Sequence, residues 1–401
     1  AYIGKWHLDG GDYFGMGRCP QGWNPDYWYD MRCYLEELSE QDRADSRSFQ
    51  KMKARNVGAD FTYAHRCSNR AIDFLAKHAD EDFLLVVSYD EPHGPCVCPE
   101  PYASMYEDYE FPKKRNVWDT LQNKPEHQRI WAGDLLKQDK DELAIKNPAF
   151  FGCTSFVDEE IGRVLNAVDQ HAPGAMVIYT ADHGEMLMSH SLLGKGPVMY
   201  DEITRVPLIV RWPGHVPDGT VYPDPVSHID IAPTLLEAAG LPIPVLLEGR
   251  SLKPLLQDPN MKSSSPIFME FTRFEIDHDG FGGYQPIRAV FDGRYKLVIN
   301  LMTSDELYDL ETDPEEMENL IDSKAHALIR NRLHDEILDW MNRTRDPFRG
   351  YYWETRPWRE DARPKTWEYT GMTRQRVHEE YEPTPLDYTT GLPIREAVRR
   401  K

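Results

Sequence analysis

The sequence lacks any apolar run long enough to cross a membrane. No stretch of its 401 residues approaches the ~20 consecutive apolar residues that a membrane helix needs. The first ten residues, A-Y-I-G-K-W-H-L-D-G, also lack the basic start and apolar centre of a signal peptide. We therefore expect no membrane partner.

Cysteine is scarce, and its spacing fits neither a disulfide scaffold nor a zinc site. The six cysteines have neither the density of a disulfide scaffold nor the paired C-x-x-C spacing of a zinc site. Cys96 and Cys98 are too close in the chain for an easy mutual disulfide. Free thiols suit a reducing compartment, so we expect a cytoplasmic protein.

Basic residues are outnumbered, with 46 Lys and Arg against 67 Asp and Glu and a formal net charge of -21. The long-range field of such a chain opposes binding to nucleic acid or to an anionic membrane surface. An anionic substrate would need a local basic pocket. The spacing of a nucleotide P-loop and the zinc motif H-E-x-x-H are both absent, which argues against an NTPase and a zinc protease.

Helical and apolar strand patterns alternate in the first part of the chain. A helical stripe over 63–78 precedes an apolar strand at 82–89, and a helix over 151–168 precedes the β-branched run 175–180. A strand at 206–211 is followed by a helix at 230–239. This alternation predicts an α/β fold with a mostly parallel sheet flanked by helices, in which the strand at 175–180 is buried on both faces.

The pattern changes after residue 256. Four short strands, at 266–271, 287–291, 295–300 and 306–309, precede a helix at 323–343 and predict a small antiparallel sheet with one helix. From residue 346 the chain is rich in Trp and Tyr, and we expect this tail to pack on the body or on a second copy in a homo-oligomer. The predicted domains are 1–258 (catalytic), 259–345 (C-terminal α+β) and 346–401 (tail).

The segment Y-T-A-D-H-G-E-M-L-M-S-H-S-L-L-G-K-G, residues 179–196, carries the strongest chemical signal. Asp182 and His183 follow a predicted strand, and open α/β sheets bind ligands beyond the carboxyl ends of their strands. A carboxylate beside an imidazole can hold a divalent cation. The alternative is structural, with Asp182 capping the turn and His183 making a buried hydrogen bond.

Lysine and histidine recur at three other places that can face a ligand. Lys195 lies between two glycines, Lys5 and His7 occur in G-K-W-H-L, and His93 follows the strand at 83–89 in D-E-P-H-G-P. Taken alone, each of these lysines and histidines could equally be an ordinary surface residue. Together with the Asp-His pair they suit transfer of a tetrahedral anionic group, because lysines neutralise its oxygens and a histidine protonates the leaving oxygen. His190 is a candidate substrate contact, or else a structural residue.

These motifs, with Y-D-E-I-T-R-V-P-L-I-V-R-W-P-G and D-E-L-Y-D-L-E-T-D-P-E-E-M-E-N-L, resemble the type I sulfatase family of the alkaline phosphatase superfamily, in the same order from Gly4 to about Leu320. The resemblance implies an alkaline phosphatase-like fold and a sulfuric ester hydrolase acting on a small sulfate ester, such as a sulfated saccharide or an aryl-type substrate. It implies that Asp182 and His183 are Ca²⁺ ligands, although many members have Asn at the second position. Lys5, His7, His93 and Lys195 correspond to catalytic residues, of which Lys5, His93 and Lys195 bind the sulfate group.

The sequence departs from the family pattern at the nucleophile. The family uses a formylglycine made from Cys or Ser in a C/S-x-P-x-R motif upstream of G-K-W-H, together with further acidic metal ligands. No such motif occurs in the sequence, and Cys98-Pro99-Glu100-Pro101 lacks the spacing and the arginine. We therefore expect a sulfatase whose N-terminal segment is missing, so a periplasmic or secreted location stays open. The alternatives are a phosphonate monoester or phosphodiester hydrolase, and an inactive fragment or binding protein with the sulfatase fold.

Overall fold

A computed structural model of the chain describes residues 1–9, 12–258, 260–263, 265–272 and 284–362. They form two compact units. The first comprises Ala1–Phe111 and Lys146–Ala175, and the second comprises Pro112–Ile145 and the described residues from Met176 onward. The domain boundaries expected from the sequence, 1–258, 259–345 and 346–401, stay predictions.

The described residues alternate between helices and short strands. In chain order the α-helices are α1 (Met31–Glu37), α2 (Glu40–Asp45), α3 (Phe49–Ala54), α4 (Tyr63–His78), α5 (Tyr102–Met105), α6 (Glu126–Ala132), α7 (Pro148–His171), α8 (Asp201–Thr204), α9 (Ile231–Ala238), α10 (Lys253–Gln257), α11 (Ala327–Arg343) and α12 (Tyr351–Glu354). The strands are β1 (Tyr2–Gly4), β2 (Val86–Ser88), β3 (Val177–Thr180), β4 (Leu208–Arg211), β5 (Ile267–Phe271), β6 (Ile287–Phe291), β7 (Tyr295–Asn300) and β8 (Glu306–Asp309). Short 3₁₀ turns include Asp12–Phe14 and Ser189–Ser191.

Strands β1 and β2 of the first unit pair in parallel, with Tyr2 opposite Val86 and Gly4 opposite Ser88. The strand predicted over 82–89 is regular only at Val86–Ser88, because only these residues face β1. Gly4 has φ +125°, and a Cβ there would lie 1.9 Å from the carbonyl oxygen of Ser88. Only glycine permits this approach, which lets the backbone N–H of Lys5 donate to that oxygen at 2.8 Å.

Helices α4 and α7 pack together in the first unit. Thr62 caps α4 by accepting from the backbone N–H of His65, and Pro148 opens α7, where its missing N–H is not needed. Both helices bury one stripe. Ala64 of α4 shares a cluster with Cys153, Phe156 and Val157 of α7. The stripe that the sequence predicted for α4 is therefore its buried face.

Strand β3 of the second unit pairs antiparallel with β4, with Val177 opposite Arg211 and Thr180 opposite Leu208. The expected parallel pairing is wrong here, because β3 runs antiparallel to β4. The expected burial on both faces is also wrong, because Tyr179 of β3 is 42% exposed and Ile209 of β4 is 61% exposed. An apolar run predicts that a strand exists but not the direction of its neighbour. That direction follows from the reversal of the chain between β3 and β4.

The C-terminal part of the second unit has the predicted antiparallel sheet, in the order β5-β6-β7-β8, with helix α11 packed on it. Val290, Leu297 and Leu307 of the sheet share a core with Leu333 and Ile337 of the helix. The start of the aromatic tail packs on this body, since Trp353 is 1% exposed in the same core. The other tail aromatics expected to dock, Trp367, Tyr369, Tyr381 and Tyr388, lie outside the described residues, and the homo-oligomer stays a prediction.

The structure therefore has the α/β fold with a small C-terminal antiparallel sheet that the sequence predicts. None of the helices in the described ranges is both long and apolar enough to span a bilayer. All six cysteines, each within the described part of the chain, are free thiols.

Glu91 carries a buried carboxyl group at the amino end of α4. Its Oε1 accepts from the backbone N–H of Ala64 at 2.9 Å, while its buried Oε2 has no hydrogen-bond partner among the described residues. Burial, and then the neighbouring Asp90 carboxylate, raise the pKa of Glu91 to about 8 from an ordinary value of 4.5. The folded protein therefore binds a proton at Glu91 more tightly than the unfolded chain does.

We predict that the free energy of unfolding falls as the pH rises from 4.5 to about 8, because over this range the unfolded chain releases the Glu91 proton while the folded protein retains it. The fall is at most about 1.4 kcal/mol per pH unit. Glu91→Gln keeps the acceptor oxygen for Ala64 and removes this dependence, as urea unfolding at several pH values will show. Glu159→Gln, at an exposed position, is the matched control and should leave the slope unchanged. A Glu91→Gln slope equal to wild type would contradict the burial of a protonated carboxyl.

Candidate active-site residues

Lys5 leaves strand β1 into a group of polar and aromatic side chains within the first unit. Its Nζ lies 3.1 Å from Oδ1 of Asp90, and the two side chains are only 12% and 7% exposed. The same Nζ lies 4.7 Å from the centre of the Tyr13 ring. Lys5 is therefore a fixed ammonium, held by a carboxylate and an aromatic face.

Tyr13 joins the members of this group. Its hydroxyl donates to Oδ2 of Asp90 at 2.5 Å, and its ring lies 4.8 Å from the imidazole of His93. Burial and the Asp90 carboxylate raise the pKa of Tyr13 above its ordinary value, so the phenol stays protonated and remains a donor. The structure thus brings Lys5 and His93 to the same tyrosine.

Tyr13 and Asp90 are the residues that the sequence analysis missed. Asp90 is the first residue of D-E-P-H-G-P, and its place directly after a strand was an available signal. Tyr13 has no such signal, because it lies in a Gly-rich segment without periodicity. Only the fold shows that it meets both strand ends.

His7 and His93 are exposed members of the same unit. The His7 ring meets Tyr13 edge-on, with 6.3 Å between ring centres, and its backbone has φ +50°. Nδ1 of His93 lies 3.0 Å from the carbonyl oxygen of Gly94, so it carries a proton and leaves Nε2 as the basic nitrogen of the neutral ring. An exposed basic nitrogen of this kind can take part in proton transfer.

Asp182, His183 and Lys195 form a group within the second unit, after strand β3. Oδ1 of Asp182 accepts from the backbone N–H of His183 at 2.9 Å, as the turn-capping alternative expects, but its side chain is 75% exposed. Nδ1 of His183 donates to the carbonyl oxygen of Gly184 at 2.8 Å. Nε2 then accepts from Nζ of Lys195, also at 2.8 Å.

The glycines beside Lys195 have different functions. Gly194 turns the chain at φ +72°, whereas a Cβ at Gly196 would lie 2.8 Å from the ring of Trp131. Gly196 is therefore required for packing, rather than for the close approach to a ligand that the sequence suggested.

His190 lies in the loop between His183 and Lys195 and is completely buried. Its Nδ1 donates to Oδ2 of Asp119 at 2.7 Å, and its ring stacks on Tyr200 with 3.7 Å between ring centres. Burial lowers the pKa of His190, although Asp119 opposes this shift. This position agrees with the structural alternative rather than with a substrate contact.

Comparison with known proteins decides the family. Residues 1–241 match the family model for sulfatases, and residues 190–343 match the model for the C-terminal part of N-sulphoglucosamine sulphohydrolase. The chain belongs to the sulfatase family. The identification as a sulfuric ester hydrolase from its motifs is thereby confirmed.

Individual relatives cover different shares of this chain. The uncharacterized sulfatase YidJ of Escherichia coli is 46% identical over 400 residues, which are 98% of this chain and 78% of that protein. An arylsulfatase of Clostridium perfringens is 29% identical over 64% of this chain, which spans 53% of its length. A solved structure in complex with its substrate D-glucosamine-2-N,6-O-disulfate shares the fold with a TM-score of 0.65 at 20% identity, covering 86% of this chain and 80% of that one.

The Asp-His pair fits part of the coordination shell of the cation that the family implies. Oδ2 of Asp182 and Nε2 of His183 lie 3.4 Å apart, but Nε2 accepts the hydrogen bond from Lys195, so it can bind an ion only when the Lys195 ammonium moves away from it. Calcium takes about six to eight ligands, mostly oxygen, so the pair supplies a minority of them. Within the described ranges no three or more His, Cys, Asp or Glu side chains are grouped as a metal site.

We predict that Asp90→Asn lowers the free energy of unfolding by about 3 kcal/mol, because it leaves the nearly buried ammonium of Lys5 without its counter-charge. Urea denaturation at constant pH measures this loss. The matched control is Asp73→Asn, which breaks an exposed pair with Lys77 on helix α4 and should cost less than about 0.5 kcal/mol. Equal losses in the two variants would show that the pair between Lys5 and Asp90 is as solvated as a surface pair.

Proposed function

We propose that this sulfatase hydrolyses the sulfate monoester of a small substrate, with a sulfated saccharide as the preferred class. The observation that carries the proposal is the grouping of a carboxylate, an imidazole and an ammonium at one strand end of a sulfatase-family chain. Lys195 donates to His183 at 2.8 Å, and Asp182 lies 3.4 Å from the same nitrogen. A sulfate ester is a tetrahedral anion whose charge such a group can neutralise.

Each candidate residue has a chemical role in this proposal. Lys5 and Lys195 each offer an ammonium group that can neutralise sulfate oxygens, and this neutralisation counts most when charge builds up on those oxygens in the transition state. His93 binds the sulfate and protonates the oxygen of the leaving alcohol, with Lys195 as the alternative donor. His7 assists release of sulfate. Tyr13 and Asp90 hold Lys5 and His93 in place.

Calcium and the nucleophile complete this chemistry. Asp182 and His183 would hold the cation, which polarises a sulfate oxygen when bound. In the family the nucleophile is a formylglycine, which would supply the attack on sulfur, and no C/S-x-P-x-R motif that would form it occurs in the 401 residues. The residues of this chain therefore account for substrate binding and proton transfer.

The saccharide preference rests on the name of one family model and on the ligand of one solved structure. The C-terminal family model is named after N-sulphoglucosamine sulphohydrolase, and the solved structure described above contains a disulfated glucosamine. We also propose a cytoplasmic location, supported by the six free cysteines.

We predict that the product of the natural gene, translated from its own start codon and matured by a formylglycine-generating enzyme, prefers sulfate esters. Its kcat/KM for an aryl sulfate should exceed that for an aryl phosphodiester by at least about tenfold. This ratio corresponds to ~1.4 kcal/mol of difference in transition-state binding. N-sulfated and 6-O-sulfated glucosamine test the saccharide preference in the same assay. A clear preference for the phosphodiester would favour the phosphonate and phosphodiester hydrolase alternative.

Lys195→Ala in that protein should lower kcat/KM by about 10²–10³-fold, because one fixed donor to the charged transition state is lost. Lys262→Ala, at an exposed position, is the matched control and should have no effect. The 401-residue chain alone should show no formylglycine-dependent turnover. Binding of sulfated saccharide by a natural product that lacks both the motif and turnover would instead support the binding-protein alternative.

A further inference from the structure

The loop over 184–194, which joins His183 to Lys195, is shaped by hydrogen bonds across its base. The backbone N–H of Met186 donates to the carbonyl of Gly194 at 3.0 Å, and that of Met188 donates to Leu192 at 2.8 Å. Oε1 of Glu185 accepts from the backbone N–H of Gly194 at 2.5 Å. These bonds return the chain so that Lys195 meets His183.

The tip of this loop has an unfavourable backbone. Leu187, Met188, His190 and Ser191 all have positive φ, between 40° and 74°. L-residues with a Cβ adopt this region only at a cost in free energy, and a cluster of such residues persists only where surrounding contacts fix it. Something outside the loop must therefore hold the tip.

The side chain of His190 makes those contacts. Its two ring nitrogens face Asp119, at 2.7 Å, and the side-chain amide of Asn116, at 3.4 Å, and its ring is stacked on Tyr200. The hydroxyl of Ser191 also donates to the backbone carbonyl of Asp119 at 3.3 Å. The loop tip is thus fastened to the segment after residue 115 by a completely buried imidazole.

Asp119 is itself fixed, so it is a rigid anchor. Its Oδ1 accepts from the backbone N–H of Leu121 at 2.8 Å, and its Oδ2 lies 3.8 Å from the ammonium of Lys124, which is 2% exposed. Burial by itself would raise the pKa of Asp119. The hydrogen bond from His190 and the charge of Lys124 outweigh burial and keep this pKa below its ordinary value, so the acceptor stays ionised.

We propose that His190 is a positioning residue, which sets the place of Lys195 relative to His183 by fastening the loop between them to Asp119. His190 is completely buried, so we assign it no direct contact with a substrate. The inference rests on the proposed function in one respect, that Lys195 binds the sulfate group. It extends that function, because the buried pair between His190 and Asp119 would fix the position from which Lys195 binds the sulfate group.

The variants separate the hydrogen bond from simple burial. His190→Leu removes the donor to Asp119, whereas His190→Asn retains a donor at a similar distance along the side chain. Asparagine also tolerates the left-handed backbone of residue 190, which has φ 53° and ψ 28°. Asn is therefore the conservative variant, and rescue by Asn distinguishes positioning from the filling of space.

The measurement is the rate at which each lysine of the 401-residue chain reacts with an amine-acylating reagent, read by mass spectrometry. Lys137, whose side chain is 80% exposed, normalises the rates, and Lys296, which is 2% exposed, reports any unfolding. The relative rate of Lys195 should rise about threefold to tenfold in His190→Leu, the range expected for loss of one hydrogen bond donated by its ammonium. It should stay within about twofold of wild type in His190→Asn.

A second arm repeats the labelling with sodium sulfate or with sodium chloride at matched ionic strength. Sulfate should protect Lys195 in wild type and in His190→Asn but not in His190→Leu. An unprotected Lys195 in wild type would contradict the proposed sulfate binding and leave the first arm as the test of positioning. An unchanged relative rate in His190→Leu would overturn the positioning role, whatever the sulfate result.

If Lys296 becomes reactive in His190→Leu, that variant has unfolded, and Asp119→Asn replaces it. This change puts an amide donor opposite the Nδ1–H of His190 and should raise the relative rate of Lys195 by the same threefold to tenfold range. An unchanged rate in folded Asp119→Asn would likewise overturn the proposal.

Discussion

Charge taken out of water must find a partner inside the fold, and this constraint shapes both units of the protein. In the first unit the nearly buried ammonium of Lys5 meets Asp90, and the buried Glu160 meets Arg163 and His65. In the second, Lys296 lies against Asp201 and Glu316, and Arg356 against Asp305. Breaking such a pair costs more than its net contribution to stability, because the remaining charge cannot reach water. The candidate site residues take their places within this framework.

The same constraint explains why two kinds of residue surround the proposed chemistry. Lys195, His93 and His7 are exposed and can meet a substrate. Tyr13, Asp90, His190 and Asp119 are wholly or partly buried and hold the exposed groups through hydrogen bonds and stacking. Catalysis by fixed charges depends on such support, since a charge that must reorganise during the reaction stabilises the transition state less.

The sequence predicted the parts of the structure that depend on local pattern. Strands β5 to β8 and helix α11 follow from alternation, turn residues and helical spacing, and the positions of Asp182 and His183 follow from their place after an apolar run. The direction of β3 could not be predicted, because Val177–Thr180 has the same composition whether its neighbour runs parallel or antiparallel. Tyr13 was missed because its importance comes from distant partners, His93 and Asp90, which no local spacing reveals.

The glycines around Lys195 show a related limit. The pattern G-K-G suggested a backbone open to a ligand, yet Gly196 is fixed by the ring of Trp131, which is 65 residues away in the chain. His190 shows the converse, since a histidine two residues beyond a methionine gives no sign that it will be buried against an aspartate. Tertiary packing, rather than propensity, decides both cases.

The place of Trp353 has a practical consequence for anyone dividing this chain into smaller pieces. It fills the core between helix α11 and the sheet, while Arg356 and Trp358 bind the buried carboxylate of Asp305. A fragment that ended at the close of the helix, near residue 345, would carry an aromatic-sized void and an uncompensated anion. The shortest stable version of the C-terminal sheet must therefore extend through the first aromatic residues beyond its helix.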